Sequence, residues 1–94
     1  MLHPAATLEH EEQVAYYEAR SSGLGRRYHT AFRSALLHVC EAPHRYKVVQ
    51  APGIRIVSLH GFPFSLIYRE VHGQVVVLAV ALHRKRPGYW AGRL

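Results

Sequence analysis

Residues 61–94 read GFPFSLIYREVHGQVVVLAVALHRKRPGYWAGRL, and they contain the clearest strand pattern in the chain. It contains two runs of strand-forming residues, Phe64 to Val71 and Gln74 to Leu82, separated by His72-Gly73. That pair suits a two-residue hairpin turn, because Gly takes positive φ freely and a polar residue before it tolerates the turn. The sequence therefore predicts an antiparallel hairpin in which Val71 pairs with Gln74.

This pairing also predicts the two faces of the hairpin, because side chains alternate along a strand. A regular register gives three cross-strand pairs on an apolar and aromatic face: Tyr68 with Val77, Leu66 with Ala79, and Phe64 with Ala81. The opposite face is mixed, carries Ser65, Ile67 and Arg69, and ends near Arg84. We expect the first face to be the core and the second to be the working surface.

Two helices are predicted before the hairpin. Helix 1 runs from about Ala5 to Arg20, and a Ser- and Gly-rich turn over residues 21–25 follows it. Helix 2 ends before Pro43 and carries one continuous apolar stripe: Tyr28, Phe32, Ala35, Leu36 and Val39. An antiparallel helical hairpin with a shared apolar face follows from these patterns.

A third strand over Ile54 to His60 completes the elements and predicts a three-stranded antiparallel meander. The helical hairpin is available to cover its apolar face, so residues 1–94 form a single α+β domain. Tyr89 and Trp90 follow the last strand and are large and apolar. We expect them to fold back on the sheet or the helices, with direct contact to a partner as the alternative.

The charge of the chain is strongly positive and unevenly distributed. Its 94 residues hold 12 Lys and Arg but only 6 Asp and Glu, a formal net charge of +6. Four glutamates lie before residue 20, whereas Arg84, Lys85, Arg86 and Arg93 crowd the C-terminus. The basic end is therefore the candidate contact surface for an acidic partner or nucleic acid. The alternative is that it only keeps a small domain soluble.

The sequence gives little indication of a membrane-spanning, secreted or metal-binding protein. No apolar run approaches the roughly 20 residues of a membrane-spanning helix, and the acidic N-terminal region does not resemble a signal peptide. A single cysteine, Cys40, fits the reducing cytoplasm, where we expect the protein to act. The eight histidines follow no metal-ligand spacing, so we expect neither metal nor cofactor.

Several short sequence motifs, taken in their order along the chain, resemble those of the RelE/ParE superfamily of toxins from bacterial type II toxin-antitoxin systems. They are His3-Pro4, Tyr16-Tyr17-Glu18, Gly23-Leu24-Gly25, Phe62-Pro63-Phe64, Ile67-Tyr68-Arg69, His83-Arg84 and Pro87-Gly88-Tyr89-Trp90. The resemblance implies a helical hairpin packed on a small antiparallel sheet. Chains of that superfamily begin with a strand before the His-Pro motif, but in this chain only Met1 and Leu2 precede it. We therefore expect a missing or stunted first strand and an unpaired sheet edge.

The superfamily has a ribonuclease branch similar to RelE, which cuts mRNA on the ribosome. Such chemistry needs several cations converging on one phosphate. The matching positions of that pattern fall on Ile56, Ser58 and Ser65, all uncharged. If the ribonuclease alternative holds, the candidate catalytic residues are Arg69, His83, Arg84 and Tyr89, with His60 as another possible proton carrier.

The uncharged positions make the chain look more like the ParE branch, whose members are described as poisons of DNA gyrase. The resemblance then implies a plasmid-stabilisation toxin that inhibits growth, without catalysis, and forms a hetero-oligomer with an acidic antitoxin segment. The candidate target-binding residues are Arg84, Lys85, Arg86, Trp90 and Arg93. A third hypothesis is a basic domain that merely holds nucleic-acid phosphates, with steeply salt-dependent binding.

Overall fold

The computed structural model describes all 94 residues and has two helices followed by a four-stranded sheet. Helix α1 spans Pro4–Arg20 and α2 spans Leu24–Glu41. The strands are β1 Val48–Gln50, β2 Ile54–Ser58, β3 Phe64–Val71 and β4 Gln74–Leu82, in the order β1-β2-β3-β4 with every pair antiparallel. A short 3₁₀ helix, Ala91–Arg93, ends the chain. The predicted α+β fold is confirmed, with one strand more than expected.

The turn between the helices is fixed by a side chain of α1. The Glu18 carboxylate accepts hydrogen bonds from the backbone N–H groups of Gly23 and Gly25, each at 3.0 Å. It thereby satisfies N–H groups that the start of a helix leaves without a partner. A Cβ on Gly25 would lie 2.6 Å from the carbonyl oxygen of Val14, so only glycine allows the two helices to approach this closely.

The helices cover one face of the sheet and enclose the larger core, as the stripe on α2 predicts. Tyr28 and Val39 are completely buried, and Phe32 and Ala35 are nearly so. The buried members of this core are Ala6, Tyr28, Phe32, Ala35, Val39, Leu59, Phe64, Leu66, Tyr68, Val75, Val77 and Val80. The face opposite the helices, the outer face, has a smaller cluster built from Ile54, Ile67, Leu78, Ala79, Ala81 and Trp90.

The β3–β4 hairpin turns at His72 and Gly73, which have φ values of 51° and 79°. Val71 pairs with Gln74 and Tyr68 with Val77, so the predicted turn and initial register are confirmed. Beyond Tyr68 the register shifts, and the predicted pairs of Leu66 with Ala79 and Phe64 with Ala81 are wrong. Leu66 pairs with Val80 and Phe64 with Leu82, because a bulge adds one residue to β4.

The bulge decides which residues of β4 reach the outer face. Leu78 and Ala79 follow one another in sequence, yet both belong to the outer cluster. Val80 consequently returns to the helix-covered core instead of facing outwards. The apolar run around the bulge has no Gly or turn residue to mark it, so alternation alone could not predict the shift.

The additional strand β1 forms one edge of the sheet. The sequence predicts only three strands and none here, but Val48 pairs with Arg55 and Gln50 with Ile54 of β2. The Arg55 guanidinium fixes the segment just before β1, because it donates a hydrogen bond to the carbonyl oxygen of Tyr46. All three residues of β1 are exposed.

The opposite edge, along β4, is covered. His3 N–H donates to the carbonyl oxygen of Val77 at 2.8 Å, and Val77 N–H donates to that of Met1 at 2.9 Å. Leu2 and Val77 form a single parallel bridge, so the predicted stunted first strand is confirmed. The expectation of an open edge on this side is wrong, because side chains continue the coverage beyond Val77.

Neither helix combines the length and the apolar content needed to cross a lipid bilayer. The chain after β4, called the tail here and comprising residues 83–94, folds back across the outer face. Its anchor is Trp90, which is 4% exposed and packs in the outer cluster. The prediction that Trp90 folds back on the domain is confirmed.

Candidate target-binding groove

A groove of about 470 Å³ lies on the outer face, between β1 and the tail. The neighbouring strands β2 and β3 form its floor and contribute Ile56 and Ile67. Val49 and Gln50 form the wall of the groove on the β1 side, and the tail from Lys85 to Trp90 forms the opposite wall. The groove therefore combines an apolar floor with a basic rim, and no carboxylate is among its lining residues.

Three polar side chains form a line at one end of the groove. Ser65 Oγ lies 2.9 Å from His83 Nε2, within hydrogen-bond distance, and 3.4 Å from Ser58 Oγ. Ser58 and Ser65 are direct cross-strand partners, and His83 follows the end of β4 next to them. Hydroxyl and imidazole groups can donate hydrogen bonds to an anionic or carbonyl group of a ligand. None of them supplies the permanent positive charge that a cleaved phosphate requires.

The positions that the resemblance associates with catalysis lie in this groove. Ile56, Ser58 and Ser65 all contribute to its lining. The groove presents an isoleucine and two hydroxyls at these positions, where the resemblance to the ribonuclease branch would imply cations. Its cations come from the tail instead: Lys85 and Arg86 line the rim, and Arg84 is exposed beside them.

The structure does not bring Arg69 to the other candidate catalytic residues. Arg69 and Ser65 lie four residues apart on β3, about 13 Å along an extended strand. His83 is in contact with Ser65, so it lies at the opposite end of this strand from Arg69. The Nε of Arg69 is buried without a hydrogen-bond partner inside the protein.

The Tyr89 hydroxyl is hydrogen-bonded to a residue of α1. It donates to Glu9 Oε2 at 2.8 Å, on the side of the tail that faces α1. Burial and this hydrogen bond to Glu9 raise the pKa of Tyr89 well above its ordinary value. The ring is also flanked by two cations, with Lys85 Nζ at 5.2 Å and Arg93 Cζ at 5.1 Å from its centroid. In this arrangement Tyr89 holds its proton and contacts Glu9 rather than His83.

Glu9 gathers four donors and joins α1, β4 and the tail. Arg93 donates to both carboxylate oxygens, at 2.9 and 3.0 Å, and Val80 N–H donates to Oε1 at 3.1 Å. Arg93 also donates to the carbonyl oxygen of Leu78 at 3.0 Å. These side chains cover the β4 edge beyond Val77. Hydrogen bonding to Glu9 raises the pKa of Arg93 above its ordinary value, as expected for a paired cation.

The candidate target-binding residues thus fall into two groups. Arg84, Lys85 and Arg86 are exposed and form no salt bridge within the chain. Trp90 and Arg93 hold the tail in place, one in the outer cluster and the other on Glu9. Sequence reasoning missed Glu9, because its partners Tyr89 and Arg93 lie 80 and 84 residues away. The sequence shows Glu9 only as one of several glutamates in α1, which does not indicate its partners.

No group of three or more His, Cys, Asp or Glu side chains is placed to hold a metal ion. A helical hairpin on a four-stranded antiparallel sheet is the α+β architecture that the RelE/ParE resemblance implies. A search of curated protein sequences found no significant match.

The family comparison identifies the class. The family model described as ParE toxin of type II toxin-antitoxin system, parDE, matches residues 1–87. The chain belongs to this ParE toxin family, and it is a type II toxin-antitoxin toxin.

Proposed function

We propose that the protein inhibits bacterial growth by binding DNA gyrase in the cytoplasm, without catalysing a reaction, and that a cognate antitoxin neutralises it. Membership of the ParE toxin family supports the toxin role and implies an antitoxin partner. The proposal that the toxin binds its target rather than cleaves a substrate rests on the groove of the outer face. Its lining includes Ile56, Ser58 and Ser65, which are uncharged, whereas a phosphate-cleaving site would need converging cations.

The exposed cations of the tail are the proposed contact to the target. Arg84, Lys85 and Arg86 lie beside an apolar floor. An apolar centre with a charged rim is the usual composition of a protein-binding surface. The charge guides association with an acidic surface, and the apolar floor supplies the buried contact.

A supercoiling assay with purified gyrase tests the proposal. We expect the chain to inhibit supercoiling, and we expect the double variant Lys85→Glu with Arg86→Glu to inhibit at least roughly tenfold less well, because reversed charges oppose docking. The matched control is Arg26→Glu with Arg27→Glu, which changes the net charge equally on the exposed side of α2. Equal losses in both variants would contradict the assigned surface, and a folded chain without effect on gyrase would contradict the target.

The second candidate is a ribosome-dependent mRNA endonuclease, favoured by the contact between His83 and Ser65 next to the basic rim. Incubation of the chain with programmed ribosomes tests it. Codon-phased cuts that disappear in Arg84→Ala would establish a nuclease and overturn the binding mechanism. Absence of cuts from a folded sample would remove this candidate.

A further inference from the structure

A second hollow lies on the other side of the tail, between α1 and the end of β4. Its larger part, of about 490 Å³, has Tyr16, Arg20 and Leu82 in its lining. A smaller part of about 180 Å³ shares Gln13 and Leu82 with the first and continues to Lys85. Together the two parts are called the α1 groove here.

The α1 groove has an exposed aromatic wall that is fixed in place. Tyr16 is 51% exposed, and its hydroxyl accepts a hydrogen bond from Arg20 at 3.0 Å. The Arg20 guanidinium also lies over the Tyr16 ring, with Cζ 5.6 Å from the ring centroid. Tyr17 meets the same ring edge-on, with the two centroids 5.5 Å apart. A ring held in this way loses little conformational entropy when a partner binds, and Tyr and Arg often dominate the affinity of a protein interface.

The tail forms a ridge between the outer groove and the α1 groove. Leu82 and Lys85 line both grooves. Leu82 is 38% exposed, and Lys85 forms no salt bridge within the chain. A stable interface uses roughly 20–30 residues on each side, whereas 15 line the outer groove, and the α1 groove brings the combined surface into that range. A partner seated on the outer groove therefore reaches the α1 groove across this ridge.

The charges of the α1 groove favour the target over an acidic segment or a second copy of the chain. Arg20 lines one part of the groove, and Lys85 and Glu12 line the other. Glu12 is exposed and forms no salt bridge within the chain, so it opposes a uniformly acidic segment. A second copy would bring its own net charge of +6 to the basic tail. The groove instead fits a protein surface that carries charges of both signs around an apolar side chain.

We propose that the α1 groove is the second half of the target-binding surface, so that the target straddles the tail. An apolar or aromatic side chain of the target lies between Tyr16 and Leu82, and an acidic group beside it contacts Lys85. The proposal rests on the proposed function for the identity of the target as gyrase. It adds an apolar anchor on α1 to the cations of the tail.

Gyrase supercoiling in the presence of variants of the full chain tests the α1 groove. Tyr16→Ala removes the aromatic wall and Gln13→Trp fills the space, so each should weaken inhibition at least roughly tenfold. Tyr16→Phe keeps the ring and should stay within about threefold of the wild type. The matched control is Leu8→Ala, on the same helix, 55% exposed and outside the groove lining, which should change inhibition by less than about twofold. Circular dichroism establishes that each variant is folded.

Salt distinguishes the apolar anchor from the cations of the tail. Inhibition by each variant is compared with that of the wild type at the same salt concentration. The loss caused by Tyr16→Ala should be unchanged between about 50 and about 200 mM salt, because ions do not screen an apolar contact. The loss caused by Lys85→Glu with Arg86→Glu should shrink over the same range. A Tyr16→Ala effect that disappears with salt would contradict an apolar anchor.

Three outcomes would overturn the proposal and leave the proposed function intact. The first is equal inhibition by Tyr16→Ala and Leu8→Ala, and the second is full inhibition by Gln13→Trp. The third is unchanged inhibition by Tyr16→Ala together with weaker antitoxin binding or weaker self-association, because the groove would then serve a different partner.

Growth arrest at matched expression separates this proposal from the choice of gyrase. If the wild type arrests growth without inhibiting gyrase, the proposed target is wrong. Loss of arrest in Tyr16→Ala and Gln13→Trp, but not in Leu8→Ala, would then still support the α1 groove, and equal arrest by all of them would overturn it. A folded chain that neither arrests growth nor inhibits gyrase would overturn both proposals.

Discussion

The two faces of the sheet are covered in different ways. The helix-covered face is buried by side chains that repeat along α2, and its core contains twelve buried residues. The outer face has six, and its cover is the tail, anchored by Trp90 and by the contact between Arg93 and Glu9. One face is thus fixed by a regular pattern and the other by a few long-range contacts. The second arrangement leaves a groove open beside the tail.

The largest effect is expected from removing an aromatic ring on the helix-covered face. Phe32→Ala should lower the free energy of unfolding by about 3–5 kcal/mol, because Phe32 is 5% exposed and stacks on His10 with ring centroids 3.8 Å apart. Urea denaturation followed by circular dichroism measures it. The control is Leu37→Ala, on the same helix but 55% exposed, which should change stability by less than about 0.5 kcal/mol. Similar values for both variants would contradict the assigned core.

Removal of the outer anchor should have a smaller effect. Trp90→Ala should lower the free energy of unfolding by about 3 kcal/mol, the lower end for a buried aromatic, because the outer cluster around it has six buried residues against twelve in the helix-covered core. Leu94→Ala, in the same tail and 47% exposed, is the matched control and should be nearly neutral. Urea denaturation gives both values, and hydrogen exchange should show faster opening of the tail than of α2 in the Trp90 variant. Uniform acceleration throughout the chain would contradict a locally anchored tail.

Acid should weaken the helix-covered face. His10 is 8% exposed, and its Nε2 lies 2.9 Å from His29 Nδ1. Burial, followed by the charge of His29, lowers the pKa of His10 from 6.5 to about 4. The unfolded chain therefore binds the proton first, and the contribution of neutral His10 is complete above pH 6.5 and declines as the pH falls towards 4.

At pH 5 this loss should reach about 2 kcal/mol relative to neutral pH. Urea denaturation at several pH values measures it, with His10→Phe as the control, since Phe keeps an aromatic ring beside Phe32 and does not titrate. The difference between wild type and variant should grow between pH 7 and pH 5. A constant difference would show that His10 is not the titrating group.

The same contrast between the faces explains what the sequence could predict. The α2 stripe and the His72-Gly73 turn are local patterns, and both predictions are confirmed. The bulge at Leu78, the pairing of β1 and the coverage of the β4 edge depend on contacts between distant segments. Val48 to Gln50 is too short for a periodic signal, and nothing near Glu9 indicates Arg93 as its partner. The sequence predicts Ser65 on the face that ends near Arg84, but it does not predict that Ile56 and Ser58 share a groove with the basic tail.

The smallest effect concerns the contact that holds the tail to α1. Glu9→Gln should lower the free energy of unfolding by about 1–2 kcal/mol, because the amide keeps one acceptor oxygen but loses the charge that receives Arg93. The side chains of Arg93 and Glu9 are 19% and 23% exposed, so water replaces part of the lost interaction. Urea denaturation provides the global value, and NMR titration of the Tyr89 ring provides a local one.

The local value distinguishes a specific contact from general destabilisation. Burial is the main cause of the raised pKa of Tyr89, and the hydrogen bond to Glu9 adds to it, so Glu9→Gln should lower this pKa without restoring its ordinary value. Glu12→Gln, on an exposed position of the same helix, should leave both stability and the Tyr89 titration unchanged. An unchanged Tyr89 in Glu9→Gln would show that its hydroxyl does not depend on Glu9. The tail would then be held by the packing of Trp90 and by the contact of Arg93 with Glu9, without a contribution from the Tyr89 hydroxyl.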